Sequence, residues 1–283
     1  MWNTMRAWIL MAGLTGLLVG LGYFFGGRGG AMIFFLISLG MNFVSYFYSD
    51  RIVIRMTGAQ PLTEGQAPEL HAMVGRLTQR AGIPMPKLYL MNESQPNAFA
   101  TGRNPEHGVV AVTSGLLQIL DRDEVEGVIA HEIGHIKNRD ILIGAVAAAM
   151  AGAISMLASI AQWGAIFGGF GGNDEDDGGS LIGTLVMAFV APIAAMIIQM
   201  AISRSREYLA DETGARLAGN PNGLSDALLK LEAASGRVPM AVNPAASHMF
   251  IVNPLSADLM MRLFSTHPPI PDRVERLRKM TVQ

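Results

Sequence analysis

The 283-residue chain contains no cysteine. This absence excludes disulfide bridges, thiolate metal ligands and a cysteine nucleophile, so any metal must be held by histidines and carboxylates. Charged residues are also scarce, at 16% of the chain against about 25% in ordinary soluble domains. Half of the residues are hydrophobic, a combination typical of an integral membrane protein with a soluble part. No basic stripe indicates a nucleic-acid partner, and no nucleotide partner is expected.

Two uncharged runs near the N-terminus, residues 7–27 and 29–49, have about the 20-residue length needed to cross a bilayer. Arg28 separates them in a glycine-rich turn, which predicts a hairpin of two membrane spans. A cleaved signal peptide is the alternative for the first run, which is longer than a typical signal region. Residues 141–163 and 178–203 predict two further spans, since buried core helices of a soluble enzyme rarely lack charge for so long.

The four predicted spans divide the chain into a transmembrane hairpin (1–50), a first soluble part (51–140), a second pair of spans (141–203) and a second soluble part (204–283). The basic residues that flank the spans on one side are Arg6, Arg51, Arg55, Lys137, Arg139, Arg204 and Arg206. By the positive-inside rule, that side and both termini are cytoplasmic. The two soluble parts are then expected to form one domain of roughly 170 residues.

The sequence His-Glu-x-x-His occupies residues 131–135. On a helix, residues four apart share a face, so the imidazoles of His131 and His135 can bind one metal ion. Glu132 can then reach a water molecule on that ion. This is the arrangement of zinc peptidases, with one Zn²⁺ per chain held by two histidines and a carboxylate as general base. Two histidines on a buried helix face are the structural alternative, which the charge of Glu132 disfavours.

A catalytic zinc ion takes three protein ligands and keeps one open position. Glu207 and Asp211 follow the fourth predicted span and lie four residues apart, on one face of a predicted helix. One of them can bind the metal, while the other holds a ring nitrogen of a ligating histidine. A solvated, charged helix beside Arg204 and Arg206 is the alternative, and the residues alone leave these choices open.

Shorter elements are predicted between and after these features. The predicted helices are 67–81, a short helix capped by Ser114, the metal helix capped by Asp121 or Asp123, 221–234 and 272–280. The predicted strands are 87–91, 97–101 and 109–112. Residues 51–55 are predicted to be a strand or the end of a span, and residues 243–256 a loop. The strand containing Asn97, Ala98, Phe99 and Ala100 has small residues around one apolar ring. We expect it to be a sheet edge that binds an extended substrate, with an ordinary hairpin strand as the alternative.

Four stretches together resemble the HtpX-type integral membrane zinc metalloproteases, relatives of the CAAX prenyl proteases. They are Asn-Ala-Phe-Ala-Thr-Gly at 97–102, the metal motif followed by Asn138 and Asp140, Ser-Arg-Ser-Arg-Glu-Tyr-Leu-Ala-Asp at 203–211, and Thr-His-Pro-Pro-Ile-Pro-Asp-Arg-Val-Glu-Arg-Leu at 266–277. With the N-terminal hairpin, the resemblance extends over nearly the whole chain. The acidic segment at 173–177 is not part of it.

The resemblance implies a mainly helical fold with a small β-sheet: four transmembrane helices and a cytoplasmic α+β zincin-like (gluzincin) metalloprotease domain. It also implies a multi-pass protein of the bacterial inner membrane that hydrolyses membrane or misfolded proteins, a role in quality control and stress response. At the site, it implies Glu207 as the third zinc ligand and Glu132 as the general base. Asp211 and Asn138 would support the ligands, and His267 would lie nearby.

His267 precedes two prolines that fix the backbone after it. A fourth protein ligand would close the position that water needs, so we expect His267 to donate a hydrogen bond to the reaction's oxyanion. Tyr208 is the rival donor, and a loop or helix-cap histidine is the structural alternative. The other histidines, His71, His107 and His248, have no partner at metal spacing and are predicted to be surface or structural residues.

Two other functions would also place histidines or metal ligands in a membrane protein. A zinc transporter would place its ligands near the middle of the bilayer, whereas charged residues surround residues 131–135 on both sides. A catalytically silent membrane chaperone would have no need of Glu132. Both features favour the protease.

Overall fold

The structure is a computed structural model that describes residues 2–150, 204–235, 237–238, 240, 243–254 and 268–281. The helices in these ranges are α1 (Trp2–Phe47), α2 (Ser49–Thr57), α3 (Pro68–Ala81), α4 (Ser114–Ile119), α5 (Arg122–Lys137), α6 (Ile141–Met150), α7 (Arg204–Ala218), α8 (Pro221–Ser235) and α9 (Ile270–Arg278). The strands are β1 (Gln60–Pro61), β2 (Lys87–Met91), β3 (Ala98–Thr101) and β4 (Val109–Thr113). Pro105–His107 and Pro244–Met249 form 3₁₀ turns.

Helix α1 is a hairpin of two antiparallel helices. The chain reverses at Gly27, whose φ of 55° lies in the left-handed region that favours glycine. Trp8 near the start stacks on Tyr46 near the end, with ring centres 5.4 Å apart. Met5–Phe24 and Gly26–Phe47 are both long and apolar enough to cross a membrane. The predicted hairpin of two long apolar helices is therefore present, and both helices are candidate membrane spans.

Helix α6 lies against the first span of this hairpin. The shared apolar cluster consists of Ala7, Leu10, Met11, Leu14, Leu142, Ile143, Val146, Ala147 and Met150. The start of the third predicted span is thus helical and packs on the first helix of the hairpin. The rest of the predicted spans at 141–163 and 178–203, and the acidic segment at 173–177, lie outside the described residues.

The sheet has the strand order β1-β2-β4-β3. Strands β2 and β4 are parallel, and the other two pairs are antiparallel. The three predicted strands are confirmed to within one residue, and β3 lies at an edge of the described sheet. Residues 51–55, for which a strand was one expectation, lie in helix α2 instead. Its buried residues Ser49 and Val53 are four apart, the helical spacing.

Helix α5 lies at the centre of the soluble fold, where it packs against α3, α7, α8 and the sheet. Asp121 caps it, accepting from the Glu124 backbone N–H at 3.0 Å while the Glu124 side chain accepts from the Asp121 N–H at 2.8 Å. This reciprocal capping box satisfies two backbone donors at the start of the helix. Of the two capping residues predicted, the structure uses Asp121.

One predicted helix cap, one predicted loop and several predicted helix ends differ slightly from the structure. Helix α4 is capped by Thr113, whose hydroxyl accepts from the Leu116 N–H at 3.1 Å, and not by Ser114, which is its first residue. The segment predicted as a loop at 243–256 contains the 3₁₀ turn Pro244–Met249. The predicted helices at 67–81, 221–234 and 272–280 are confirmed as α3, α8 and α9, with ends shifted by one or two residues.

Candidate metal centre

The two histidines of the motif face each other on α5. His131 is fully buried, and its ring lies edge-on to that of His135, with ring centres 4.6 Å apart. Their Nε2 atoms are 3.1 Å apart. The i, i+4 spacing of the helix thus points two ring nitrogens at one place.

Glu207 completes this group from helix α7. Its Oε1 lies 3.6 Å from Nε2 of His135, and its Oε2 lies 3.9 Å from Nε2 of His131. One ligand atom from each of the three residues lies within 4.8 Å of the others. Adjacent ligands of a tetrahedral zinc ion are about 3.3 Å apart, because Zn–N and Zn–O bonds are about 2.0–2.2 Å long. The three side chains therefore fit one metal ion with little movement.

The other ring nitrogens are held by carboxylates. Nδ1 of His131 lies 2.9 Å from Oδ1 of Asp211, and Nδ1 of His135 lies 3.0 Å from Oδ1 of Asp140. A carboxylate accepts a hydrogen bond from a ring nitrogen that bears a proton, so these contacts place the hydrogen on Nδ1. The unprotonated Nε2 atoms then face the centre. The structure places Glu207 at the Nε2 atoms and Asp211 at Nδ1 of His131.

Arg273 of helix α9 supports Asp211 from the far side. Its Nε and Nη2 atoms donate to the two carboxylate oxygens at 2.8 and 2.6 Å, and its side chain is fully buried. Burial alone raises the pKa of Asp211, but the Arg273 guanidinium outweighs it and lowers the pKa to about 2. Burial lowers the pKa of His131. Asp211 therefore stays charged while His131 stays neutral, the form in which imidazole binds a metal.

His135 and Glu132 respond differently to the same surroundings. Burial lowers the pKa of His135, but the Asp140 carboxylate, together with those of Glu207 and Glu132, outweighs it and raises the pKa to about 10. A metal ion therefore competes with a proton for this ring. Burial raises the pKa of Glu132 to about 8. Glu132 lines a narrow cleft of about 60 Å³ beside His135 and Glu207, which has room for a few water molecules.

Strand β3 borders this cleft through Ala100. Phe99 points to the opposite face of the sheet, where its ring meets Phe250 edge-on at 5.2 Å between ring centres. Asn97 binds the neighbouring segment, donating from Nδ2 to the Val252 carbonyl at 2.7 Å. Among the strand residues predicted to bind substrate, Asn97, Ala98 and Phe99 contact other parts of the fold and Ala100 faces the cleft.

The remaining predicted residues are more distant or not described. Asn138 ends helix α5 and donates to the Thr213 hydroxyl at 3.3 Å, which links α5 to α7. The Tyr208 ring lies 4.0 Å beneath the Arg276 guanidinium carbon. His267 lies outside the described residues.

Sequence reasoning assigned no role in the site to three residues of this region. Asp140 is held against His135 by a turn in which Arg139 has a φ of 57°, a left-handed conformation rare for a residue with a side chain. Arg273 reaches the site from 62 residues beyond Asp211. His248, predicted to be a surface or structural residue, is half-buried and lines the cleft. Its Nε2 lies 3.2 Å from the Gly144 carbonyl oxygen. Asp140 and Arg273 lie in two of the stretches that carry the family resemblance, which was the signal available for them, and His248 lies in none.

Comparison with known proteins agrees with this geometry. Residues 64–281 match peptidase family M48. A Protease HtpX homolog of Pelotomaculum thermopropionicum is 61% identical over 280 residues, which cover 99% of this chain and 100% of that protein. A Protease HtpX homolog of Thermococcus kodakarensis is 59% identical over 281 residues, which cover 99% and 96%.

A solved structure shares the fold. The crystal structure of S. mikatae Ste24p superposes with a TM-score of 0.51 at 20% identity, over 97% of this chain and 65% of that one. These comparisons confirm the resemblance found in the sequence and do not favour the transporter or the silent chaperone. The chain belongs to peptidase family M48, and it is a membrane-associated metalloprotease of the HtpX type.

Proposed function

We propose that the protein is a zinc-dependent endopeptidase that cleaves membrane or misfolded proteins beside the bilayer. The observation that carries this proposal is the meeting of two Nε2 atoms and the Glu207 carboxylate next to the buried Glu132. The donor set of two imidazoles and one carboxylate, with no thiolate, suits Zn²⁺ and leaves one position open. His131, His135 and Glu207 would hold one zinc ion per chain.

The residues of the chain have separable tasks in hydrolysis. When bound, zinc supplies a Lewis acid that polarises the scissile carbonyl and makes water more acidic. Glu132 takes the proton from the attacking water and passes it to the leaving amine. Burial suits the second step, because it favours the protonated form of Glu132 that delivers the proton to the leaving amine. Asp211 and Asp140 keep both imidazoles oriented throughout.

Strand β3 supplies the edge for an extended substrate. The Thr113 N–H donates to the Asn97 carbonyl at 3.0 Å, so alternate residues of β3 face β4 and the backbone groups of Ala98 and Ala100 face outward. The outward carbonyl of Ala98 already accepts from the Ile251 N–H at 2.9 Å. The substrate would therefore add its main chain at Ala100, beside the cleft.

Proline substitutions test this edge. Ala100→Pro removes the outward N–H at the cleft, and we expect it to raise KM for a peptide strongly while zinc stays bound. Ala98→Pro removes an N–H that already donates to Oδ1 of Asn97 at 3.1 Å, so it serves as the control for inserting proline in this strand. Unchanged peptide cleavage in both variants would show that β3 is not the binding edge.

Zinc content and casein cleavage together test the function as a whole. The purified protein should contain one zinc ion per chain and cleave casein, and a chelator should abolish the cleavage. Glu132→Gln keeps the size of the side chain and removes the proton acceptor, so it should retain zinc and lose cleavage and autolysis. Zinc without cleavage in the wild-type protein would favour a transporter or chaperone, and turnover by zinc-loaded Glu132→Gln would reject this base.

We further propose that the protein crosses a bacterial inner membrane four times, with both termini and the soluble parts 51–140 and 204–283 in the cytoplasm. The basic residues that flank the spans support this orientation. A reporter fused after Gln283 should be cytoplasmic, and one inserted at 174–177 should lie on the other side. Protection of the soluble parts from a protease added to the cytoplasmic face would overturn the orientation.

A further inference from the structure

A second cleft lies where the hairpin of spans meets the soluble fold. It encloses about 490 Å³, a volume within the usual range for ligand sites. Val44 and Tyr48, at the end of the second span, form part of its lining, and Lys87 and Tyr89 of strand β2 form another part. The cleft therefore joins a membrane-facing helix end to the sheet of the soluble fold.

Three cationic side chains line this cleft. Arg51 and Arg55 lie one helical turn apart on α2, and Lys87 begins β2. All three are exposed, and within the part of the chain that the structure describes none of their side chains has a carboxylate within salt-bridge distance. Asp50 is the one acidic residue among those lining the cleft. The cleft thus has an excess of two positive charges, which an anion would neutralise.

Arg51 lies at the depth expected for lipid phosphates if the second candidate span crosses the bilayer. The second span ends at Phe47, and Arg51 follows four residues later, a distance of about 6 Å along a helix. The headgroup layer on each side of a bilayer is about 5–7 Å thick. The Arg51 guanidinium lies 5.4 Å from the Tyr48 ring centre, and the Arg103 guanidinium lies 5.5 Å from the Phe47 ring centre. Aromatic rings at a span end mark the membrane interface.

The rest of the lining distinguishes a lipid from a free anion. Val44, Ile52 and Ile54 are apolar and lie beside the charged residues in the same cleft. A phospholipid can place its phosphate on the cations and its glycerol and first methylene groups on the apolar wall. We propose that this cleft binds the headgroup of an anionic phospholipid. The proposal depends on the membrane hairpin and not on the peptidase chemistry.

Lipid retention by the full-length protein in detergent tests the site. Dioleoylphosphatidylglycerol and dioleoylphosphatidylcholine would be titrated separately onto wild-type protein, and bound lipids would be counted by native mass spectrometry. We expect tighter binding of the phosphatidylglycerol, which carries a net negative charge. Each basic residue contributes about fivefold near an anionic surface, so the variant Arg51→Gln/Arg55→Gln/Lys87→Gln should weaken this binding by at least tenfold.

A charge-matched control separates the cleft from general electrostatics. The variant Arg76→Gln/Arg122→Gln/Arg237→Gln removes three exposed positive charges elsewhere and should bind phosphatidylglycerol like wild type. Equal losses in the two triple variants, or equal binding of the two lipids, would overturn the proposal. Displacement of the lipid by millimolar inorganic phosphate would identify a soluble-anion site instead. If the cleft variant fails to fold, Arg51→Gln and Arg55→Gln tested singly should each weaken binding about fivefold.

Discussion

The approach of helix α7 to helix α5 at Gly214 sets the position of Glu207. Gly214 lies two turns after Glu207 and therefore on the same face of α7. A methyl group added at Gly214 would lie 2.7 Å from the backbone nitrogen of His131 and 2.8 Å from its Cα. These are backbone atoms of a proposed metal ligand, so the contact cannot be relieved by a side-chain rotation.

The expected effect of Gly214→Ala follows from these distances. Ordinary contacts begin at 3.4 Å, so the helices must separate by about 0.7 Å (3.4 minus 2.7). Metal–ligand distances are maintained to within about 0.2 Å, so this displacement would weaken the bond from Glu207 to an ion held by His131 and His135. We expect zinc affinity to fall tenfold or more. Overpacking costs about 1–3 kcal/mol and removing a helical glycine returns about 1, so the fold should lose up to about 2 kcal/mol.

Gly75→Ala is the matched control for this substitution. Gly75 also lies inside a helix, α3, but a methyl group there would meet nothing within 4 Å. It should leave zinc affinity unchanged and stabilise the fold by about 1 kcal/mol. Both substitutions would be made in the Glu132→Gln protein to prevent autolysis, with chelator competition for zinc affinity and thermal unfolding for stability. Wild-type zinc affinity in Gly214→Ala would refute the argument that this contact positions Glu207.

Three further predictions concern the same centre. Glu207→Ala should remove most of the bound zinc. Asp211→Ala should weaken zinc affinity by about 10–100-fold and should still bind zinc when zinc is supplied in excess. The reverse order of zinc affinities in a metal titration would mean that the two residues have exchanged roles. Arg273→Met should leave Asp211 buried without its cation and destabilise the fold by about 3–5 kcal/mol, and Asp211→Asn added to it should restore part of the thermal stability. His267→Phe should retain zinc and peptide binding, and its kcat should fall by a factor of about 10²–10³. Loss of zinc would show that His267 is a metal ligand, and an unchanged kcat would show that it is a loop residue without a role in catalysis.

Local patterns allowed part of this structure to be predicted. The i, i+4 spacing of His131 and His135 is a property of one helix, so their convergence follows from the sequence once the helix is recognised. The same holds for the hairpin, whose reversal is marked by glycines around Arg28. Such features depend on neighbours a few residues away, which the sequence displays directly.

Other features depend on packing between distant segments. Glu207 and Asp211 share a helix face, and spacing cannot decide which approaches Nε2 and which approaches Nδ1. That choice is made where α7 crosses α5 at Gly214 and where Arg273 binds Asp211, contacts between segments far apart in sequence. The secondary structure of residues 51–55 was ambiguous for a related reason. Their five alternating charged and apolar residues also fit a strand, and the contact that selects the helix is the packing of Val53 in one cluster with the distant Phe99.

The short connection from the metal centre to helix α6 has a consequence for which bonds can be cleaved. Asp140 binds His135, a proposed metal ligand, and the next residue begins a helix that packs on Ala7 and Leu10 of the first candidate span. If these helices cross the bilayer as proposed, the centre is held at a constant height above it and cannot travel along a substrate. Cleavage positions would then be selected by their distance from the lipid surface more than by side-chain identity. A membrane protein would become a substrate only when a segment close to its own anchor unfolds.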